Sequence, residues 1–208
     1  MAELVAQLEK AGRSRGAAVK AYLRFVGLPD RDEYRELQQQ LRLNGEHFFE
    51  STVPECWMDI QDVVEFCEGY VECDEDHFID NFDDILWREQ ECRAGMEQRY
   101  IQFQEIVKSF KTMLANGGGV LRDCGDPPHE VKHALEGSFT DCLRALIETG
   151  EEMGDFFNGV ASTMRGIVRL SESEKPQDVL LKWMPTATWL ADACRSYDRV
   201  FGIEATSD

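Results

Sequence analysis

The stretch WMDIQDVVEFCEGYVECDEDHFIDNF, from Trp57 to Phe82, decides the fold class. Its apolar residues recur every three or four positions, which is the spacing of one face of an α-helix. The pattern stops near Cys73 and Asp74 and resumes at Phe78. The stretch therefore predicts two antiparallel helices joined by a turn at Asp74.

The same periodicity extends along the chain, and no convincing alternating strand pattern occurs. We expect an all-α bundle of about seven helices, including one long helix at about 75–115 that would reach roughly 60 Å if unbroken. The chain of 208 residues suits a single helical domain at 1–208, and the alternative is a subdomain break at 116–127. Helix ends, breaks or bends are predicted from glycine, proline and capping chemistry at Gly27, Thr52–Pro54, Gly95, Asn116–Gly119, Gly150 and Pro185.

Composition excludes several classes of protein. Hydrophobic residues make up 43% of the chain and charged residues 30%, which is typical of globular domains. No apolar run approaches the roughly 20 residues that cross a bilayer, and the first residues lack a secretory pattern. Seven cysteines without a CxxC pair indicate reduced, mostly buried thiols. We therefore expect a cytoplasmic protein without a cofactor.

Charge is distributed unevenly. The net charge is −18, and the interval Leu43–Trp87 holds fourteen Asp and Glu and no Lys or Arg. Such a surface repels nucleic acid and anionic membrane, so we expect neither as a direct partner. It favours a protein with a basic surface or a bound cation. The candidate partner-binding residues are Glu65, Glu68, Glu72, Asp74, Glu75, Asp76, Asp80, Asp83 and Asp84.

Two carboxylate pairs within this interval indicate an alternative function. Glu65 and Glu68 form an ExxE motif, and Asp80 and Asp83 form a DxxD motif. The pairs are placed symmetrically about Asp74, so an antiparallel hairpin would set them at matching heights. Together they resemble the motifs of all-α nucleotide pyrophosphohydrolases, which implies Mg²⁺-dependent diphosphate cleavage. On a helical wheel, however, Asp80 and Asp83 fall opposite the apolar face and point into solvent.

Three further patterns leave alternatives open. Cys124, His129 and His133 form an acceptable Zn²⁺ set or lie on the surface. The segment LQQQLRLNGEHFF, Leu37–Phe49, resembles the BH3 segment of the Bcl-2 family, which implies a helix-binding regulator; it also fits an ordinary amphipathic helix. An apolar stripe of the long helix suits either a homo-oligomer seam or a core, and it consists of Tyr100, Phe103, Val107, Phe110 and Leu114.

Weighing these patterns, we expect a non-enzymatic helical interaction module, such as an adaptor, an inhibitor or a self-assembling protein. Its acidic interval would face a basic partner, because an electric field of one sign speeds encounter and excludes anionic competitors.

Overall fold

Long α-helices make up the part of the chain that the structure, a computed structural model, describes. The backbone is described for residues 2–27, 35–123 and 129–201, and the side chains for 3–27, 35–116 and 137–201. Within these ranges seven α-helices pack as a bundle, which confirms the predicted class: α1 Ala2–Val26, α2 Arg35–Glu46, α3 Val53–Glu72, α4 Glu75–Asp80, α5 Phe82–Asp123, α6 His129–Ser171 and α7 Pro176–Phe201.

The two longest helices, α5 and α6, pack against each other. They contain 42 and 43 residues, so each extends about 60 Å. Phe103 of α5 stacks on Phe157 of α6 with ring centroids 5.7 Å apart. Gly150 allows the backbones to approach, since a Cβ there would lie 2.6 Å from Val107 Cγ2. The predicted break at Gly150 is wrong: the helix continues through it, and the absence of a side chain at Gly150 allows α5 and α6 to pack closely.

Three other predicted interruptions are also helical in the described backbone, whereas the predicted helix end at Gly27 is confirmed because α1 ends at Val26. Helix α5 passes through Gly95 and Asn116–Gly119, and α7 contains Pro185. Extending an existing helix adds one hydrogen bond per residue, and each interior glycine costs only about 1 kcal/mol relative to alanine, while an interior proline costs about 3 kcal/mol. A propensity argument of that size does not stop a helix that is already formed. The predicted long helix therefore starts later, after Asn81, and ends later, at Asp123.

A π-helical segment, His47–Thr52, joins α2 to α3 without a break. The N–H of Val53 donates to the carbonyl of Phe48, five residues earlier, as in a π-helix. This wider turn places Phe48 and Val53 on one face, where both are buried. The predicted helix start at Thr52–Pro54 is confirmed in position, since α3 begins at Val53 with Pro54 in its first turn. Thr52, however, has helical dihedrals and makes no side-chain capping hydrogen bond, because the backbone continues from the π-helical segment.

Helix α7 closes the bundle through two buried tyrosine hydroxyls. Tyr70 of α3 donates to the carbonyl of Val179 at 2.9 Å, and Tyr197 of α7 donates to the carbonyl of Val53 at the same distance. Both phenols are fixed by packing as well, and burial raises the pKa of Tyr70. Both bonds join α3 to α7.

The apolar stripe of α5 forms part of the core. Phe103, Val107 and Phe110 are buried. Phe48 of the π-helical segment packs edge-on against Phe103 and Phe110, at centroid distances of 6.2 and 5.9 Å. The stripe therefore faces inward, and a homo-oligomer stays a prediction with no surface assigned to it.

One hydrophobic cluster draws on helices from both sides of residues 116–127. It includes Phe25 of α1, whose ring lies 5.5 Å from that of Phe139 in α6. The side chains of 117–136 lie outside the described residues, so the proposed subdomain break stays a prediction.

A chain of charged groups crosses from α5 to α6. Glu89 is fully buried and accepts from Arg93 at 2.9 Å. Arg93 also donates to Glu97 at 3.0 Å, and Arg165 of α6 donates to the same oxygen at 2.5 Å. Burial raises the pKa of Glu89. Although burial also acts on Glu97, its two arginine partners lower its pKa.

Candidate functional site

The turn between α3 and α5 is fixed at both ends. Cys73 is extended after α3, and Asp74 caps α4 by accepting the N–H of His77 at 2.9 Å. Phe78 is fully buried against Tyr70, with ring centroids 5.2 Å apart. Asn81 ends α4 and donates to the carbonyl of His77 at 2.9 Å. The predicted turn at Cys73–Asp74 is confirmed, and a single buried ring anchors it.

Carboxylates crowd this turn. All seven Asp and Glu between positions 72 and 84 are exposed. Among the described residues, no Lys or Arg nitrogen forms an ion pair with any of them within 4.0 Å. We call this set the acidic tip; it consists of Glu72, Asp74, Glu75, Asp76, Asp80, Asp83 and Asp84.

The remaining two candidate residues have arginine partners. Glu65 lies 4.0 Å from Arg88 of α5, and Glu68 is ion-paired with Arg195 of α7. The long sequence separation between Glu68 and Arg195 explains why sequence reasoning missed their contact. The part of the predicted surface without described ion pairs is therefore the acidic tip, while Glu65, although exposed, and Glu68 contact arginines of other helices.

The register of α3 and α5 differs from the predicted one. Arg99 Nε donates to Asp59 at 2.5 Å, Cys92 Sγ lies 3.6 Å from the carbonyl of Asp62, and Arg88 faces Glu65. The helices are antiparallel as expected, but Glu65 sits opposite residue 88 and not opposite Asp83. The six residues of α4 cause this offset, because they belong to the turn and not to a continuous long helix.

Two grooves follow the seam between α3 and α5. The first, the tip groove, has a volume of about 430 Å³ and is lined by Glu65, Glu72, His77, Asp84 and Arg88, among others. Gly69 also lines it, and a Cβ there would meet nothing within 4 Å. The second, the Trp87 groove, has a volume of about 420 Å³. It is lined by Asp59, Asp62, Trp87, Arg88, Glu91, Cys92 and Gly95.

Negative charge is poorly compensated in the Trp87 groove. Burial raises the pKa of Asp62, and the nearby carboxylates of Asp59 and Glu65 raise it further. Arg88 lowers the pKa of Asp62, but the side chain of Arg88 is 59% exposed. A cation entering this groove would therefore meet the exposed carboxylates of Asp62 and Glu91 beside the half-buried Asp59.

The four carboxylates of the ExxE and DxxD motifs do not form a metal centre in the described structure. Glu65 and Glu68 face arginines, while Asp80 and Asp83 are exposed, as the helical wheel predicts. Among described side chains, no three of the His, Cys, Asp and Glu type are grouped so that they could hold a metal ion. The proposed zinc ligands Cys124, His129 and His133 lie outside the described side chains.

The BH3-like segment packs inward. Leu37, Leu41, Gly45 and Phe48 are all buried in the chain's own core. Glu46, the acidic residue of the pattern, pairs with Arg42 one turn earlier at 3.0 Å. The apolar face of this segment therefore packs against the hydrophobic core of the same chain.

A further groove, which the sequence did not indicate, lies between α5 and α6 and has a volume of about 600 Å³. Its walls combine Tyr100 and Phe103 with charged groups of both signs. Lys111 and Glu151 pair at 2.6 Å, so part of this charge is satisfied internally. Its mixed charge gives no preference for a cationic or an anionic ligand.

Comparisons with known protein families, with characterised proteins and with solved structures found no match for this chain. A search of the described helices found none long and apolar enough to span a membrane. The function must therefore be argued from the site itself.

Proposed function

We propose that this protein is a helical interaction module that binds a basic segment of another protein at the acidic tip. The observation that carries the proposal is the concentration of seven exposed carboxylates, without described ion-pair partners, at one turn of the bundle. Carboxylates elsewhere along the same helices are commonly paired, as at Asp59 and Glu68. The tip therefore presents its charge to solvent.

The backbone beneath these charges is fixed, which favours binding. The Asp74 cap and the buried Phe78 ring hold α4 in place, so little conformational freedom is lost when a partner docks. Like charges held close together destabilise the free protein, and a basic partner relieves that repulsion. Long-range attraction by the tip also speeds encounter with a basic partner.

The test compares two variants that each remove three negative charges. The tip variant carries Asp80→Asn, Asp83→Asn and Asp84→Asn. The matched control carries Glu9→Gln, Glu105→Gln and Glu172→Gln on other parts of the surface. These three carboxylates are exposed and form no ion pair within 4.0 Å among the described residues. The probe is a synthetic peptide of about twelve residues with alternating basic and neutral positions, titrated by calorimetry at low and high salt.

We expect the tip variant to bind the peptide about tenfold more weakly than the control, since exposed pairs contribute about 0.5 kcal/mol each. Binding to the wild type should weaken as salt rises, because exposed charges are screened. Equal affinities of the two variants, or no binding of any basic peptide or protein, would contradict the proposal.

A further inference from the structure

Trp87 is an exposed aromatic residue beside a groove. Its side chain is 60% exposed on α5, although a neighbouring residue, Glu89, is fully buried. The indole forms a wall of the Trp87 groove, and carboxylates from both helices form the rest: Asp59 and Asp62 from α3 and Glu91 from α5. An aromatic face beside carboxylates in a concave site suits a cation better than a neutral or anionic group.

The carboxylates of this groove differ in what they already bind. Asp59 accepts from Arg99 through Oδ2, at 2.5 Å. Asp62 and Glu91 form no ion pair within 4.0 Å among the described residues. Among the described residues that line the groove, Arg88 is the one cation; it also lines the tip groove and lies 4.0 Å from Glu65. Two carboxylates therefore remain available beside the indole.

The two grooves lie on one path. Arg88 lines both, and the lining residues run from Asn81, immediately before α5, to Gly95 within α5. Fourteen residues of helix span about 21 Å, which an extended segment of about six or seven residues covers. A segment bound at the acidic tip can therefore reach the Trp87 groove.

We propose that the Trp87 groove receives an arginine side chain of the basic segment that binds the acidic tip; the inference rests on the proposed function. The guanidinium stacks on the indole of Trp87 and donates to Asp62 and Glu91. Arginine fits better than lysine because its planar, weakly hydrated group stacks on an aromatic face while its N–H groups pair with carboxylates. Arg88 disfavours a second basic residue of the partner at the middle of the path.

The experiment uses two peptides of equal length and charge, one with arginine and one with lysine at every basic position. Both are titrated into the wild type, Trp87→Ala, Trp87→Phe, Asp62→Asn and the tip variant, with thermal unfolding as the folding check. Trp87 is largely exposed, so its replacement should leave the melting temperature close to that of the wild type.

We expect the wild type to prefer the arginine peptide by about three- to tenfold, the range that a cation–π contact supplies. Trp87→Ala and Asp62→Asn should abolish that preference, and Trp87→Phe should keep part of it. The tip variant should weaken both peptides by the same factor and keep the preference.

The possible failures are distinguishable. Loss of affinity in the tip variant, together with unchanged arginine preference in Trp87→Ala, overturns this inference and leaves the proposed function standing. A preference for lysine, or none, in the wild type also overturns it. Failure of both peptides to bind the wild type overturns the two proposals together.

Discussion

Replacing Gly45 or Gly69 with alanine makes the same chemical change in two helical segments and should move stability in opposite directions. Both substitutions gain up to about 1 kcal/mol of helix propensity. At Gly69 a Cβ meets nothing within 4 Å, so the gain is retained. At Gly45 the Cβ would lie 2.5 Å from Tyr22 Cε2, far inside the ordinary carbon–carbon separation of about 3.5–4.0 Å.

The cost at Gly45 follows from how Tyr22 is held. Its ring lies 5.8 Å from that of Phe49, and its hydroxyl donates to the carbonyl of Arg42 at 3.1 Å. Moving the ring by about 1 Å overpacks the site, at about 1–3 kcal/mol, and sacrifices a hydrogen bond worth about 1 kcal/mol. After the propensity gain, Gly45→Ala should destabilise the protein by about 1–3 kcal/mol.

Thermal and denaturant unfolding measure both effects. For a chain of this size, about 1 kcal/mol corresponds to roughly 2–4 °C, so Gly45→Ala should lower the melting temperature by about 3–10 °C and Gly69→Ala should raise it slightly. In a Tyr22→Leu background, the penalty of Gly45→Ala should shrink, because the clashing ring is gone. Stabilisation by both alanines would refute the packing described for α1 and α2.

Three further predictions follow from buried groups and from the acidic surface. Because burial holds the pKa of Glu89 above its ordinary value of 4.5, the folded state keeps a proton that the unfolded state loses. The free energy of unfolding should therefore fall as pH rises above 4.5, and Glu89→Gln should remove that fall; parallel profiles would contradict this. Millimolar MgCl₂ should change the melting temperature no more than NaCl of equal ionic strength, whereas a saturable rise at micromolar Mg²⁺ would indicate a specific site. An aromatic disulfide reagent should modify the buried thiols of Cys56, Cys67, Cys142 and Cys194 only as fast as the protein unfolds. Burial raises the pKa values of these four thiols and leaves little reactive thiolate. Rapid modification of them in the native protein would count against their burial.

The helical class could be predicted because it depends on local spacing. Ile60, Val64 and Cys67 follow the three- and four-residue spacing and are all buried in α3. The turn at Cys73–Asp74 could be predicted because the apolar periodicity stops there, and the structure adds that Asp74 caps α4. Such features depend on a few neighbouring residues, so the sequence contains them directly.

Helix interruptions were predicted poorly because glycine and proline occur inside helices as well as at their ends. Gly150 marks close contact with Val107, and Pro185 lies on an exposed position of α7. Local preferences of about 1 kcal/mol for glycine are smaller than the packing of a long helix against its neighbours. Only the tertiary contacts show whether a glycine lets two helices pack closely or ends a helix.

The site was predicted in part. The exposure of Asp80 and Asp83 follows from the helical wheel, whereas the pairing of Glu68 with Arg195 depends on how α7 crosses α3. The grooves depend on the register between α3 and α5, which α4 shifts relative to a simple hairpin. No local pattern encodes that register, so Trp87 was not recognised as part of a site.

The π-helical segment between α2 and α3 has a consequence for sequence change. Since Val53 bonds to a carbonyl five residues back, deleting one residue within 47–52 would restore the usual four-residue bonding. The helices on either side would keep their inward faces, and only the local bulge around Phe48 would be lost. This junction is therefore a place where the chain can lose a single amino acid while the two flanking helices stay aligned.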